Sequence, residues 1–222
     1  MSLVPTMNIE QARFNMVEQQ IRPWDVLDSQ ILDLLFEIRR EDFVPEAWRG
    51  LAFADLEIPL GENAMMLSPK MEARMLQELA IRHSDRALEI GTGSGYVSAL
   101  LGKLAKEVTT VEINSQLAQA ARDRLAKHSA DNVKVVQGDA AHDWSDGAPW
   151  DVILISGAVP SEPTALLQRL AIGGRLLAVV GDAPVMHATL WTRLEEGFQS
   201  LVLFETVIPT LHNAPQPERF SF

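Results

Sequence analysis

Apolar positions recur at helical spacing through residues 8–50. Ile21 is followed by Trp24, and Ile31, Leu34, Leu35 and Ile38 share one face, with Asp33, Glu37 and Arg39 between them. This pattern predicts a helical N-terminal segment. From Asp55 to Ser68 the periodicity breaks, and Pro59, Gly61 and Asn63 mark a loop. Pro69 then opens a helix predicted over Met71 to Ile81, because proline is tolerated in a first helical turn. After residue 86 the pattern changes to short apolar runs: Ala87–Ile90, Val108–Ile113, Val133–Val136, Val152–Ile155 and Leu176–Val180. Helix-like stretches near 96–106, 115–128 and 162–171 separate them. Such alternation predicts an α/β fold with right-handed crossovers, a mainly parallel sheet and helices on both faces. The runs Thr189–Leu194 and Leu201–Ile208 flank Gly197 and fit an antiparallel pair at one sheet edge. No repeat or linker divides the chain. Residues 1–222 are therefore expected to form a single domain, with 8–80 as a helical N-terminal extension and loop.

The turn after the first parallel strand carries the candidate chemistry. It reads Glu89-Ile90-Gly91-Thr92-Gly93-Ser94-Gly95, and its glycines let the backbone approach a ligand at the carboxyl edge of the sheet. A dinucleotide fingerprint would place its third glycine where Tyr96 stands. Glu89, two residues before Gly91, also disfavours an anionic pyrophosphate at this turn. Glu112, followed by Ile113, closes the second strand, where a carboxylate accepts from both hydroxyls of a ribose. Asp139, followed by Ala140, stands at the end of the third strand and fits an adenine amino group. Three acidic groups around one cleft suit a nucleoside that carries a cation. The sulfonium and ammonium of S-adenosylmethionine meet that requirement, with S-adenosylhomocysteine as the product.

Composition narrows the partners. The chain has 19 Lys and Arg against 30 Asp and Glu, for a net charge of -11, which repels phosphate backbones and anionic membrane surfaces. No nucleic-acid or membrane partner is expected. No stretch approaches the ~20 apolar residues of a membrane span, and Met1–Met7 lacks the basic start and apolar run of an export signal. A cytoplasmic protein is expected, and Met7 fits a native start preceded by an added segment. Absence of cysteine excludes thiol nucleophiles and zinc–thiolate sites. The five histidines show no i, i+4 metal spacing, so no metal is expected; His142 alone lies near the loop after Asp139.

Several blocks resemble the protein-L-isoaspartate O-methyltransferase family over most of the chain. They are Asn15-Met16-Val17-Glu18-Gln19-Gln20-Ile21, Arg40-Glu41-Asp42-Phe43-Val44-Pro45-Glu46, Ala52-Phe53-Ala54-Asp55 and Ile58-Pro59-Leu60-Gly61. Leu88–Tyr96, Ala148-Pro149-Trp150-Asp151 and Leu170–Leu176 continue the likeness. The resemblance implies a Rossmann-like S-adenosylmethionine-dependent methyltransferase fold and carboxyl O-methylation of damaged protein or peptide in isoaspartate repair. The family's substrate loop usually reads Thr-Ile-Ser-x-Pro, its serine contacting the reacting carboxylate. Here the ungapped alignment gives Met65-Met66-Leu67-Ser68-Pro69, with Leu67 at the serine position; Ser68 takes the catalytic place only if the loop slides by one residue. The chain thus resembles a diverged member. A carboxylate needs no general base, so loss of one positioning hydrogen bond costs an estimated ~10²-fold in rate and spares cofactor binding.

Other features have plainer readings. Lys70 and Arg74 stand one helical turn apart, where they either attract an anionic acceptor or are simply solvated. Met65, Met66, Met71 and Met75 form an apolar cluster that lines an acceptor pocket or fills core. Trp144 and Trp150 are expected to pack around the fourth strand. Ile155-Ser156-Gly157-Ala158 follows that strand in place of the Asn/Asp-Pro-Pro-aromatic motif of amino-directed DNA methyltransferases. The leading reading is isoaspartyl carboxyl methylation. The alternatives are a methyltransferase acting on another, small apolar acceptor, and a cofactor-binding module without turnover.

Overall fold

The computed structural model describes residues 8–216. The readings of Met1–Met7 as lacking an export signal and of Met7 as a native start lie outside the described residues, as does the chain beyond residue 216.

Asn8 caps α1 (Ile9–Met16) through its side-chain oxygen, which accepts from the Gln11 amide at 3.2 Å. The chain continues through a π-turn, Val17–Ile21, and a 3₁₀ turn, Arg22–Trp24, ended by Asp25 at φ 58°. Asp28 caps α2 (Ser29–Glu37) by accepting from the Gln30 and Ile31 amides. Burial of Ile31, Leu32, Leu34 and Leu35 on one face holds α2 in place, each side chain contributing roughly 1.5–3 kcal/mol. The segment read as a loop contains a hairpin, β1 (Ile58–Gly61) and β2 (Ala64–Met66), whose turn holds Gly61, Glu62 and Asn63 at positive φ. Strands of four and three residues are too short to show alternation, so only their pairing reveals them. Pro69 opens α3 (Pro69–Leu79), as its position predicted.

The main sheet comprises β3 (Arg86–Ile90), β4 (Glu107–Glu112), β5 (Val133–Gln137), β6 (Trp150–Val159), β7 (Leu170–Asp182), β8 (Val185–Arg193) and β9 (Phe198–Thr206). Its order is β5-β4-β3-β6-β7-β8-β9, parallel through β7 and antiparallel across β8 and β9. The crossovers carry α4 (Tyr96–Leu104), α5 (Ser115–Lys127) and a short α6 (Thr164–Leu167). The helix expected over 162–171 shrinks to α6 because Leu170 is already drawn into the sheet, opposite Trp150.

Successive residues of β6 face opposite cores, as a period of two requires. Val152 and Leu154 belong to one cluster with Met16, Ile21, Leu35, Phe43 and Leu100; Ile153 and Ile155 belong to another with Leu88, Trp150 and Leu166. The N-terminal segment therefore covers one face of the sheet rather than standing apart from it. The strand order reverses between β3 and β6. Crevices at such a reversal, beyond the carboxyl ends of the strands, are where open α/β sheets bind ligands.

Candidate active site

A cleft of about 650 Å³ opens at that reversal. Its floor is the turn after β3, where Gly91 adopts φ 92° and Gly93 φ 52°, left-handed conformations that cost side-chain-bearing residues energy. Gly91 also has no room to spare: an added Cβ would lie 3.3 Å from Leu211 Cδ1 and 3.7 Å from Ser156 Cβ. The Gly91 amide donates to the Val111 carbonyl at 2.9 Å, tying the turn to β4.

Each strand end supplies one carboxylate. Glu112 accepts from the Gly93 amide at 2.8 Å through Oε2 and from the Asn114 amide at 3.0 Å through Oε1. Both oxygens are thereby fixed, and each keeps a further lone pair for a ligand hydroxyl. Asp139 Oδ1 accepts from the Ala141 amide at 3.0 Å, while Oδ2 accepts from Asn213 Nδ2 at 3.1 Å. Ile113, Asp139, Ala140 and Gly138 form one wall with Ile90 and Val111 beneath. Gly138 leaves space for Trp144, whose ring would meet a Cβ there at 3.0 Å.

Glu89 is fully buried. Its Oε2 accepts from the Ser98 hydroxyl and from Thr110 Oγ1, the latter at 2.8 Å, and its Oε1 from Ser156 Oγ at 3.1 Å. Burial pushes this carboxyl up to about 7, the three hydroxyls pulling in the opposite direction and Glu112 reinforcing the rise. Glu89 lines a narrower inner lobe, about 290 Å³, with Thr92, Ser94, Glu72 and Val97. Thr92 shares a 2.6 Å hydrogen bond with Thr110, and Ser94 Oγ accepts from the Tyr96 amide at 3.2 Å. Gly95 lines neither lobe; it packs against Ala121 of α5.

The opposite wall comes from the hairpin and the loop after it. Met65 and Leu67 line both lobes and Met66 the inner one. Ser68 and Pro69 line neither; Ser68 precedes α3 with no capping hydrogen bond, and Pro69 is buried at the helix start. Met71 and Met75 are core, so the methionine cluster divides between cleft and interior. Lys70 and Arg74 also face away from the cleft. Lys70 pairs with Asp55 at 2.6 Å over the Trp24 ring, and Arg74 pairs with Glu78 at 2.6 Å.

A buried arginine holds this wall. The Arg40 side chain, 1% exposed, donates to Glu72 Oε2 at 3.0 Å and to the Ala52 and Leu67 carbonyls at 2.6 Å each. Burial raises Glu72 to about 7, although Arg40 opposes the rise. Arg40, Glu72, Ser98 and Thr110 were not singled out as site residues from the sequence. Thr110 carried a signal, since the strand register places it opposite Glu89.

The third boundary is the segment after β9. The Ala158 amide donates to the Pro209 carbonyl and the Leu211 amide to the Ala158 carbonyl, both at 2.8 Å. Pro209, Thr210, Leu211 and His212 thus line the cleft. Gly157 permits this approach, because a Cβ there would lie 3.1 Å from Leu211 backbone atoms.

This arrangement has counterparts among known proteins. The family profile described as protein-L-isoaspartate(D-aspartate) O-methyltransferase matches residues 11–206. A protein-L-isoaspartate O-methyltransferase of Koribacter versatilis (strain Ellin345) is 40% identical over 187 residues, which span 83% of each chain. One from Myxococcus xanthus (strain DK1622) is 42% identical over 156 residues, 70% of this chain and 74% of the relative. Among solved structures, a protein-L-isoaspartate O-methyltransferase aligns with TM-score 0.77 and 22% identity over 91% of this chain and 65% of its own. A Plasmodium falciparum protein described as a protein-L-isoaspartate O-methyltransferase in complex with S-adenosyl-L-homocysteine aligns with TM-score 0.78 and 17% identity, covering 93% and 99% of the two chains. Those two likenesses establish the same fold, and the profile match over nearly the whole described chain establishes more: this chain belongs to the protein-L-isoaspartate(D-aspartate) O-methyltransferase family.

Proposed function

We propose that the protein methylates the carboxylate of L-isoaspartyl residues in damaged proteins or peptides, with S-adenosylmethionine as donor. The observation that carries this reading is the ring of carboxylates, Glu89, Glu112 and Asp139, around a glycine-floored cleft in a chain of this family.

The residues present fit the donor. Glu112 offers two fixed oxygens to a ribose, and Asp139 stands beside the Ile113–Ala140 wall for an adenine amino group. Gly91 and Gly93 keep the floor free of side chains, and the Glu89 carboxyl lies buried in the inner lobe. S-adenosylmethionine supplies a methyl group activated by a positively charged sulfur. The protein's own part is to bind, orient and exclude water, since a carboxylate acceptor is already nucleophilic and no proton has to move. Met65 and Leu67 form an apolar wall over the reaction space, and Pro209–Leu211 narrows its mouth. The reading carries with it the cytoplasmic setting expected from the sequence.

A second reading draws on that apolar wall. Leu67 lines both lobes while Ser68 lines neither, which suits an apolar small-molecule acceptor. Incubation with labelled S-adenosylmethionine and an isoaspartyl peptide separates the two. Labelling far above that of the matching aspartyl peptide supports repair methylation; equal labelling overturns it.

A further inference from the structure

The β6 strand ends in an irregularity whose purpose the fold alone does not explain. Along β6 and β7 the partners advance from Leu154 opposite Leu177 to Ala158 opposite Val179, so β6 spends two additional residues in this stretch. A bulge of this kind re-aims side chains, and bulges concentrate beside active sites. Ser156 sits within it, one residue beyond the last β3–β6 partner pair, Ile90 and Ile155. Its side chain faces the Gly91 floor.

Among the described residues, Met65, Leu67, Gly91, Gly93 and Ser156 line both lobes, and Ser156 is the one with a polar side chain. The acidic groups of the lining offer an acceptor carboxylate no donor: Glu112 and Asp139 in the outer lobe, Glu72, already paired with Arg40, and Glu89 in the inner one. An anionic acceptor entering between the lobes needs a hydrogen-bond donor, because a carboxylate left unsatisfied in a dry site is costly. Leu67 has none to give.

Resting on the isoaspartyl reading above, we propose that Ser156 is the residue that binds and orients the acceptor carboxylate. Its hydroxyl donates to Glu89 Oε1 at 3.1 Å. Turning that one hydrogen towards the acceptor leaves Glu89 still held through Oε2 by Ser98 and Thr110. The acceptor oxygen then forms the new bond to the methyl carbon as the carbon–sulfur bond breaks, its electron pair going to sulfur. The carboxylate becomes an ester and the sulfonium a neutral thioether, with no proton transferred. Ser156 fixes the second carboxylate oxygen, leaving the first free to attack.

The test compares Ser156→Ala, Ser156→Thr and wild type. Two measurements are made: the affinity of an isoaspartyl peptide for protein saturated with S-adenosylhomocysteine, and steady-state methylation of that peptide. Ser156→Ala is expected to weaken peptide affinity and kcat/KM by about 10- to 100-fold, as for loss of one orienting donor, while S-adenosylmethionine affinity changes by less than about threefold. Ser156→Thr, which keeps the hydroxyl, is expected to retain activity. Leu67→Ser, placing a hydroxyl on the facing wall of the same two lobes, is expected to restore much of the loss in the Ser156→Ala background. Peptide affinity and kcat/KM unchanged in Ser156→Ala overturn the assignment, and so does an equal loss of cofactor affinity, which would mark the hydroxyl as a support for Glu89. A wild-type protein that neither binds nor methylates the isoaspartyl peptide overturns the isoaspartyl reading itself, and the Ser156 assignment with it.

Discussion

Replacing Glu89 by glutamine removes a titrating group and keeps its shape. The glutamine oxygen can accept from Ser98 and Thr110 where Oε2 now does, and its amide can donate to Ser156 Oγ. The groups facing Glu89 are the hydroxyls of α4, β4 and β6, with Glu112 close enough to repel it and Glu72 in the same lobe. A carboxyl that titrates near 4.5 in the unfolded chain and about 7 in the folded one costs about 3 kcal/mol to ionise in place above pH 7. The folded state binds the proton more tightly, so this contribution to stability is full below pH 4.5 and is lost as pH rises through 7. Glu72 titrates in the same window and remains in both proteins, so the informative quantity is the difference between them. Urea denaturation of ligand-free wild type and Glu89→Gln at pH 5 and pH 8 measures it. The variant is expected to gain about 2–3 kcal/mol on wild type between the two pH values. A difference that stays constant from pH 5 to pH 8 refutes the reasoning.

Arg40→Met strands the buried Glu72 carboxylate and two carbonyls, and is expected to cost about 3–5 kcal/mol by chemical denaturation. Adding Glu72→Gln to that variant is expected to recover part of the loss by removing the unpaired charge. Glu112→Gln turns one acceptor into an amide that faces a backbone N–H, so calorimetry is expected to show S-adenosylmethionine affinity lowered by at least about tenfold. Gly157→Ala pushes against Leu211 and is expected to cost about 1–3 kcal/mol, with faster amide exchange at Ala158 and Leu211 as the local sign.

The convergence of the glycine turn and the strand-end carboxylates on one cleft was legible because its signals are local. Gly91, Gly93, Glu112 and Asp139 each stand at the end of a strand whose apolar run announces it, so their convergence follows from a parallel sheet. The five parallel strands and the antiparallel edge were legible for the same reason. The acceptor side depends on pairings between distant residues. Arg40 reaches Leu67 across 27 positions, and Asn213 reaches Asp139 across 74, and no spacing rule in the sequence connects such residues. The β1–β2 hairpin was hidden by its brevity, and Ser156 by a bulge that exists only against β7. Even the expected solvation of Lys70 failed to foresee its seat between Asp55 and the Trp24 ring.

The extra hydrogen bonds that lay Pro209–Leu211 along Ala158 have a consequence for how this molecule diversifies. The groups suited to the donor lie between Glu89 and Asp139, whereas two of the walls facing the acceptor are drawn from Ala64–Leu67, before the seven-stranded sheet begins, and Pro209–His212, after it ends, with Ser156 of β6 between them. Both tracts can therefore change while the strand-end carboxylates stay, provided the residue at 211 still clears Gly91 and the one at 213 still reaches Asp139, and they exchange with those of a relative as a matched set. A protein built this way keeps one reagent and renegotiates its client, with most of the edits gathered in two tracts on either side of the main sheet.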